Sequence, residues 1–198
     1  MRDPIGSAHR ELAGQVEAAR LCLAARRVLP ALVLVYAGVD AAAALTVEDL
    51  RTKVGDRFAW WVNTYFLPRT PLTATAVDLF AARCAILHTL TARSDLSETG
   101  KARRLLYAWG KGRAEDLTRI NVAGGFGDRW AAVQVEDLIN GLERGIAAVF
   151  DEVAVNPVLR ARVVERGDSF YDRVGPEGAA EFADWYEEHL RSGDSADA

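Results

Sequence analysis

Cysteine is nearly absent from this chain: Cys22 and Cys84 are the only two among 198 residues. Both sit in apolar, helix-patterned surroundings, where a free thiol behaves as a small hydrophobe. A disulfide framework is excluded as the organising principle, and a reducing, cytoplasmic location is expected. An excess of one charge is lacking too. Lys and Arg number 24 against 28 Asp and Glu, for a formal net charge of −4, so the chain as a whole is no general polyanion binder. Met1 to Ser7 carries Asp3 and Pro4 and no apolar stretch, and no signal peptide is read. Uninterrupted apolar runs are missing as well. The longest, Val28 to Leu45, is broken by Pro30, Gly38 and Asp40, which reads as a buried core helix rather than a membrane span. No repeat is present, and no low-complexity tract exceeds Ala41 to Ala44. Gly124-Gly125-Phe126-Gly127 lacks the Lys-Ser/Thr of a phosphate-binding P-loop and reads as a flexible connection. Cys84 and His88 have no second Cys/His pair nearby, so no zinc site and no cofactor is expected.

What is present is a core. Half the residues are hydrophobic, enough for a sizeable interior. Apolar positions at Leu12, Val16, Ala19 and Leu23 follow the 3.6-residue period and predict a helix over Ala8 to Val28. Pro30 opens a second helix running to about Leu45. Trp60, Trp61, Tyr65 and Phe66 mark a short aromatic helix ending before Pro68, best explained as core packing. Thr75 caps a helix to about Arg93, with Asp78 in its first turn. Two β-prone runs, Arg104 to Trp109 and Ala131 to Val135, predict a small β-hairpin or ribbon with Val122 to Gly127 in its connection. A helix over Val135 to Asp151 follows, then Val158 to Arg166 and Pro176 to Arg191, and an acidic tail from Ser192 that reads as disordered. The fold class is mainly α: a helical bundle over residues 1–155 with a small β insertion, and a C-terminal helical extension over 156–198.

The helix from Thr75 to Arg93 is apolar nearly all round and should be central. Arg83 and His88 are its strongly polar interior residues. Burial of an unpartnered polar group costs about 2–7 kcal/mol, and of a charge more, so both need specific partners. Asp40, in an otherwise apolar helix with Tyr36 on the same face, is expected to bind Arg83 or His88. Five residues apart on a straight helix, the Arg83 and His88 side chains diverge by about 140°. A symmetric dimer brings such a pair together more naturally than one copy does.

The string from Arg83 to His88 reads Arg-x4-His, and in a central helix of a bundle it resembles the signature of the HEPN family. These are small helical proteins that include metal-independent ribonucleases of toxin and defence systems. The resemblance implies a homodimer with two motifs facing across a two-fold axis, RNA as substrate, and a cognate antitoxin or other protein partner. It implies His88 as general acid/base and Arg83 as the charge that steadies the phosphate, with Asp40, Tyr36 and Cys84 in support. Family members commonly carry a polar residue where this chain has Cys84. Both implied roles suit the side chains, since histidine titrates near neutrality and the guanidinium fork matches phosphate. The alternative is a non-catalytic dimeric interaction or RNA-binding module.

Arg93 to Arg113 adds a local charge of +4, from Arg93, Lys101, Arg103, Arg104, Lys111 and Arg113 against Asp95 and Glu98. One reading is an RNA-facing patch with Tyr107 and Trp109 free to stack on bases. The other is a solvated loop and an edge strand guarded by positive charge.

Overall fold

The computed structural model describes residues 3–91 and 93–167, together with Ala180, Ala183, Asp184 and Glu187. Met1–Asp168 form one compact unit and Ser169–Ala198 a second. The helix expected over Pro176 to Arg191 and the tail from Ser192 fall largely outside the described residues.

The first unit is mainly helical with one small sheet. Helix α1 (Pro4–Ala24) starts earlier than its periodicity predicts, because Asp3 caps it and Pro4 occupies the first turn. The Asp3 carboxylate accepts from the Gly6 amide at 2.9 Å. His9 therefore lies within a helix, edge-on to Phe150 with ring centroids 4.7 Å apart. Helix α2 (Val28–Thr46) is long and apolar enough to cross a membrane by length and composition. In this fold it is the hub of the bundle, touching α1, α3 (Val54–Trp61), α4 (Ala76–Thr89), α7 (Val135–Val155) and α8 (Pro157–Gly167).

The aromatic segment runs from α3 into a π-helical stretch, Val62–Phe66, and a 3-10 turn, Leu67–Arg69, that takes in Pro68. The widened turn places Trp61, Val62, Tyr65 and Phe66 inside together, leaving Trp60 40% exposed. Two glycines of α7 make room for them. A Cβ at Gly141 would stand 2.8 Å from Phe66 and one at Gly145 2.8 Å from Trp61, so the rings rest on bare helix backbone.

Helix α8, read from the sequence as part of an extension, packs with α1, α2 and α7 in the first unit. Its arginines close the C-terminal end of α2, where helix carbonyls lack intrahelical donors. Arg162 donates to the Thr46 carbonyl at 2.7 Å and Arg166 to Ala44 at 2.9 Å and to Val47.

The β insertion, entered through the one-turn helix α5 (Asp95–Glu98), is not a hairpin. Strands β1 (Arg104–Ala108) and β2 (Trp130–Gln134) run parallel, with Arg104 opposite Trp130 and Ala108 opposite Gln134. The connection contains a helix, α6 (Ala114–Ala123). A strand, a crossover helix and a second strand return the chain to the same edge in the same direction, whereas a hairpin needs a tight turn. The glycine-rich segment ends α6 at Gly124 and turns back through Gly125 at φ +72°.

Candidate functional site

Helix α4 places the motif residues. Its N-terminus carries a complete capping box between Thr75 and Asp78. Its buried face holds Leu79, Ala85 and Ile86 against α2, α3 and β1. The opposite side is open rather than central: Val77, on the stripe of Cys84 and His88, is 45% exposed. Arg83 and Cys84 are half-buried and His88 is exposed. The expectation that both polar residues are interior is corrected for His88, because nothing among the described residues packs over that side of the last turn.

Arg83 does meet Asp40. Its Nε donates to Asp40 Oδ2 at 2.8 Å, and its Nη2 lies 2.7 Å from the same oxygen as the closest atoms of the ion pair. The second oxygen, Oδ1, is buried and accepts no hydrogen bond. Burial opposes the charge on Arg83, but hydrogen bonding and attraction to Asp40, and then the neighbouring Cys84, outweigh it and hold the guanidinium above its ordinary value. Arg83 also lies over the Phe80 ring, 5.9 Å from its centroid.

Arg83 Nη1 stands 3.1 Å from His88 Nε2. One chain therefore joins the two residues that helix geometry sets about 140° apart. Helical Cβ atoms tilt toward the N-terminus, so the His88 ring leans back over the intervening rise of about 7.5 Å, and the long arginine covers the rest. A guanidinium has donors only, so His88 Nε2 is the acceptor and the ring N–H is at Nδ1. The result is a relay from Asp40 through Arg83 to an exposed imidazole. Tyr36 does not join it. The Tyr36 hydroxyl pairs with that of Tyr107 at 2.9 Å, tying α2 to β1, and burial of the two raises both phenols well above the usual value.

The other end of α4 holds a pair that the sequence reading missed. Asp78, seen only as a first-turn residue, is buried at 3% exposure. Its Oδ1 accepts the Arg103 amide at 2.7 Å, and its Oδ2 accepts Arg103 Nη2 at 2.7 Å and the Thr75 amide at 2.9 Å. Burial alone would raise this carboxyl, but the hydrogen bonds from Arg103 and Thr75 hold it below its ordinary value. The capping-box spacing was visible in the sequence; its second partner, 25 residues on, was not.

The expected basic patch is divided. Arg103 is committed to Asp78. Arg104 lies over Trp130, 5.7 Å from the ring centroid. Arg93 and Lys101 are exposed. Tyr107 turns its hydroxyl inward, so only Trp109, 46% exposed, keeps a ring face for stacking. Lys111 and Arg113 stand at the other end of β1, beside Arg20 and Arg26 of the α1 terminus. Among the described residues no three His, Cys, Asp or Glu side chains are placed to hold a metal ion.

Comparison with known proteins adds no homologue: no family model, curated protein or solved structure matches the chain.

Proposed function

We propose that this is a HEPN-like, RNA-directed protein acting as a homodimeric, metal-independent endoribonuclease, with Arg83 and His88 at its centre. The observation that carries the reading is the continuous contact from Asp40 through Arg83 to the exposed His88. A purely structural histidine has no need of an anchored guanidinium at a solvent-facing ring. Here the arginine is held from behind by a carboxylate, which fixes both its position and its charge. The open side of α4, with Val77 on the stripe of Cys84 and His88, is the face offered to a second copy.

In this reading the ribose 2′-hydroxyl displaces Arg83 Nη1 from His88 Nε2, and that nitrogen takes the hydroxyl proton as the 2′-oxygen attacks the neighbouring phosphorus. The O2′–P bond forms and the P–O5′ bond breaks. The departing 5′-oxygen takes up a proton from the same residue of the second copy, and Arg83 balances the added charge on the phosphoryl oxygens. The products are a 2′,3′-cyclic phosphate and a 5′-hydroxyl end.

Incubation of the full chain with single-stranded RNA in EDTA tests this. Cleavage with cyclic-phosphate ends is expected, reduced about 10²–10⁴-fold in His88→Ala and similarly in Arg83→Ala, with thermal unfolding of both variants still cooperative. Intact RNA at micromolar wild-type protein overturns the reading. RNA binding without cleavage transfers the weight to the alternative of a non-catalytic RNA-binding module, which the Cys84 neighbour of Arg83 favours.

A further inference from the structure

A sizeable groove lies away from His88, on the β insertion. It encloses 1110 Å³ between the end of α1, the loop after β1, and the first turns of α6 and α7. Both strands point their C-terminal ends at it. In parallel strand-helix-strand units this is where ligands sit, because successive loops diverge there and leave a crevice.

The loop that forms one wall is pinned. The Gly110 amide donates to Glu136 Oε1 at 2.7 Å. Gln134 clamps the far side, its Oε1 accepting the Ala114 amide at 3.1 Å and its Nε2 donating to the Gly112 carbonyl at 3.1 Å. From this fixed loop project Trp109, 46% exposed, and the cations Lys111 and Arg113. Across the groove stand Arg20 and Arg26. Arg26 holds left-handed backbone at φ 58° as the residue that closes α1, its amide donating to the Leu23 carbonyl at 2.8 Å and the Arg27 amide to Cys22 at 2.7 Å, which fixes where its side chain leaves the helix.

The charges are unevenly engaged. Of the two lining carboxylates, Glu136 is occupied by the loop and Asp116 by Arg119 at 2.9 Å. Arg20 is held in place by Glu143 and Asn140. Arg113 meets Glu115 only at 3.4 Å, with both side chains more than 70% exposed, a pairing that solvent and salt readily loosen. Lys111 and Arg26 make no ion pair with any described residue. A chain of net charge −4 thus lines one groove with four cations and one half-exposed aromatic side chain, Trp109.

We infer that this groove binds a nucleotide unit, its phosphate on Lys111, Arg26 and Arg113 and its base against Trp109. The unit comes either from a free nucleotide or from single-stranded RNA. The inference does not rest on the nuclease reading, since a free nucleotide fills the groove whether or not RNA is cut.

Titration of the full chain with AMP, with ATP, with inorganic phosphate and with an uncleavable 2′-O-methyl oligouridylate tests it. The expected result is sub-millimolar binding of AMP and ATP, of the oligonucleotide, or of both. Arg26→Ala/Lys111→Ala should weaken that binding about tenfold or more. Trp109→Ala should weaken it about fivefold or more, the low end of base–aromatic stacking, with Trp109→Phe retaining most of the affinity. These positions are exposed, and unchanged melting temperatures verify that the variants fold. AMP and ATP binding without the oligonucleotide identifies the free nucleotide; the reverse identifies an RNA strand. The inference is overturned if no nucleotide probe binds below millimolar, if inorganic phosphate binds as well as AMP, or if neither variant changes affinity. RNA cleavage together with any one of those results leaves the nuclease reading standing alone.

Discussion

Helix α4 takes part in two aspartate–arginine pairs, supplying Asp78 to one near its start and Arg83 to the other further along, where the aspartate is Asp40 of α2, and the two pairs are built to different ends. At the N-terminus, Asp78 has 4% of its side chain exposed and both its oxygens are occupied, by Arg103 and by the Thr75 amide. Arg103 also donates to the Thr73 carbonyl at 2.9 Å, so the cluster is closed on itself. At the other end, Asp40 and Arg83 are 18% and 15% exposed. One carboxylate oxygen takes the Arg83 Nε donor with Nη2 alongside, the other takes none, and the guanidinium has a donor left for an exposed histidine. A satisfied buried pair fixes structure. An incompletely satisfied pair that leads to the surface keeps capacity for a ligand, and perturbed, unevenly paired groups of this kind concentrate at functional sites.

The largest expected effect is at the closed end. Asp78→Ala removes the cap of α4 and leaves Arg103 without its anion. A stability loss of about 3 kcal/mol is expected, the low end for a broken buried pair because Arg103 can turn partly to solvent. The effect depends on pH with a definite sign. The Asp78 carboxyl titrates below its unfolded value, so its contribution is fully present above about pH 4 and is lost as the pH falls through the folded value. Urea unfolding of wild type and variant should differ most near pH 7 and converge toward pH 2. A constant difference across that range contradicts the charged pair as the source. RNA cleavage per folded molecule should be unchanged.

Asp40→Asn should show the reverse balance. It removes one charge-assisted anchor, for about 2 kcal/mol of stability, and it frees the guanidinium from its fixed position. Cleavage should fall tenfold or more while thermal unfolding stays cooperative. If Asp40→Asn destabilises as much as Asp78→Ala and leaves cleavage intact, the two ends of α4 are structural alike and the relay has no catalytic meaning.

The sequence made one of these pairs legible and hid the other. Asp40 stands out because it interrupts an apolar helix, and a buried charge needs a counterion; Arg83 and His88 were the two candidates, and Arg83 is the one it meets. Asp78 carries no such flag, since an aspartate three residues after a threonine is fully explained as a cap. The bundle helices follow from periodicity, a local property. The direction of β2 relative to β1 depends on α6, a helix with no fully buried residue and hence a weak apolar pattern. The groove at the strand ends is harder still. Arg20 and Arg26 meet Lys111 and Arg113 only after α1 packs along α7, and no spacing in the chain encodes that meeting. The contact between Arg83 and His88 was misjudged for another reason. Backbone angles placed the two Cα–Cβ directions apart, while the reach of the arginine side chain decided the outcome.

The smallest expected effect concerns how α4 stops. Its first turn has a full capping box, whereas its last residue is followed by Leu90 in left-handed backbone, φ 52° and ψ 30°. That conformation costs an L-residue about 1–2 kcal/mol, and glycine adopts it freely. Leu90 recovers little by burial in a single chain, being 63% exposed. Leu90→Gly therefore relieves the strain, less about 0.4–1 kcal/mol for the greater freedom of the unfolded chain. The net expectation is a stabilisation of about 0.5 kcal/mol, read as a small rise in melting temperature at low protein concentration. The same substitution probes the homodimer. Leu90 is exposed at the end of α4, two residues past His88, so a face shared between copies that extends from His88 over this end covers it. The variant should then lose its advantage as protein concentration rises, because the glycine gives up contacts that only the dimer makes. A concentration-independent gain marks Leu90 as a poor helix stop and nothing more, and removes this side of α4 as the meeting surface of two copies.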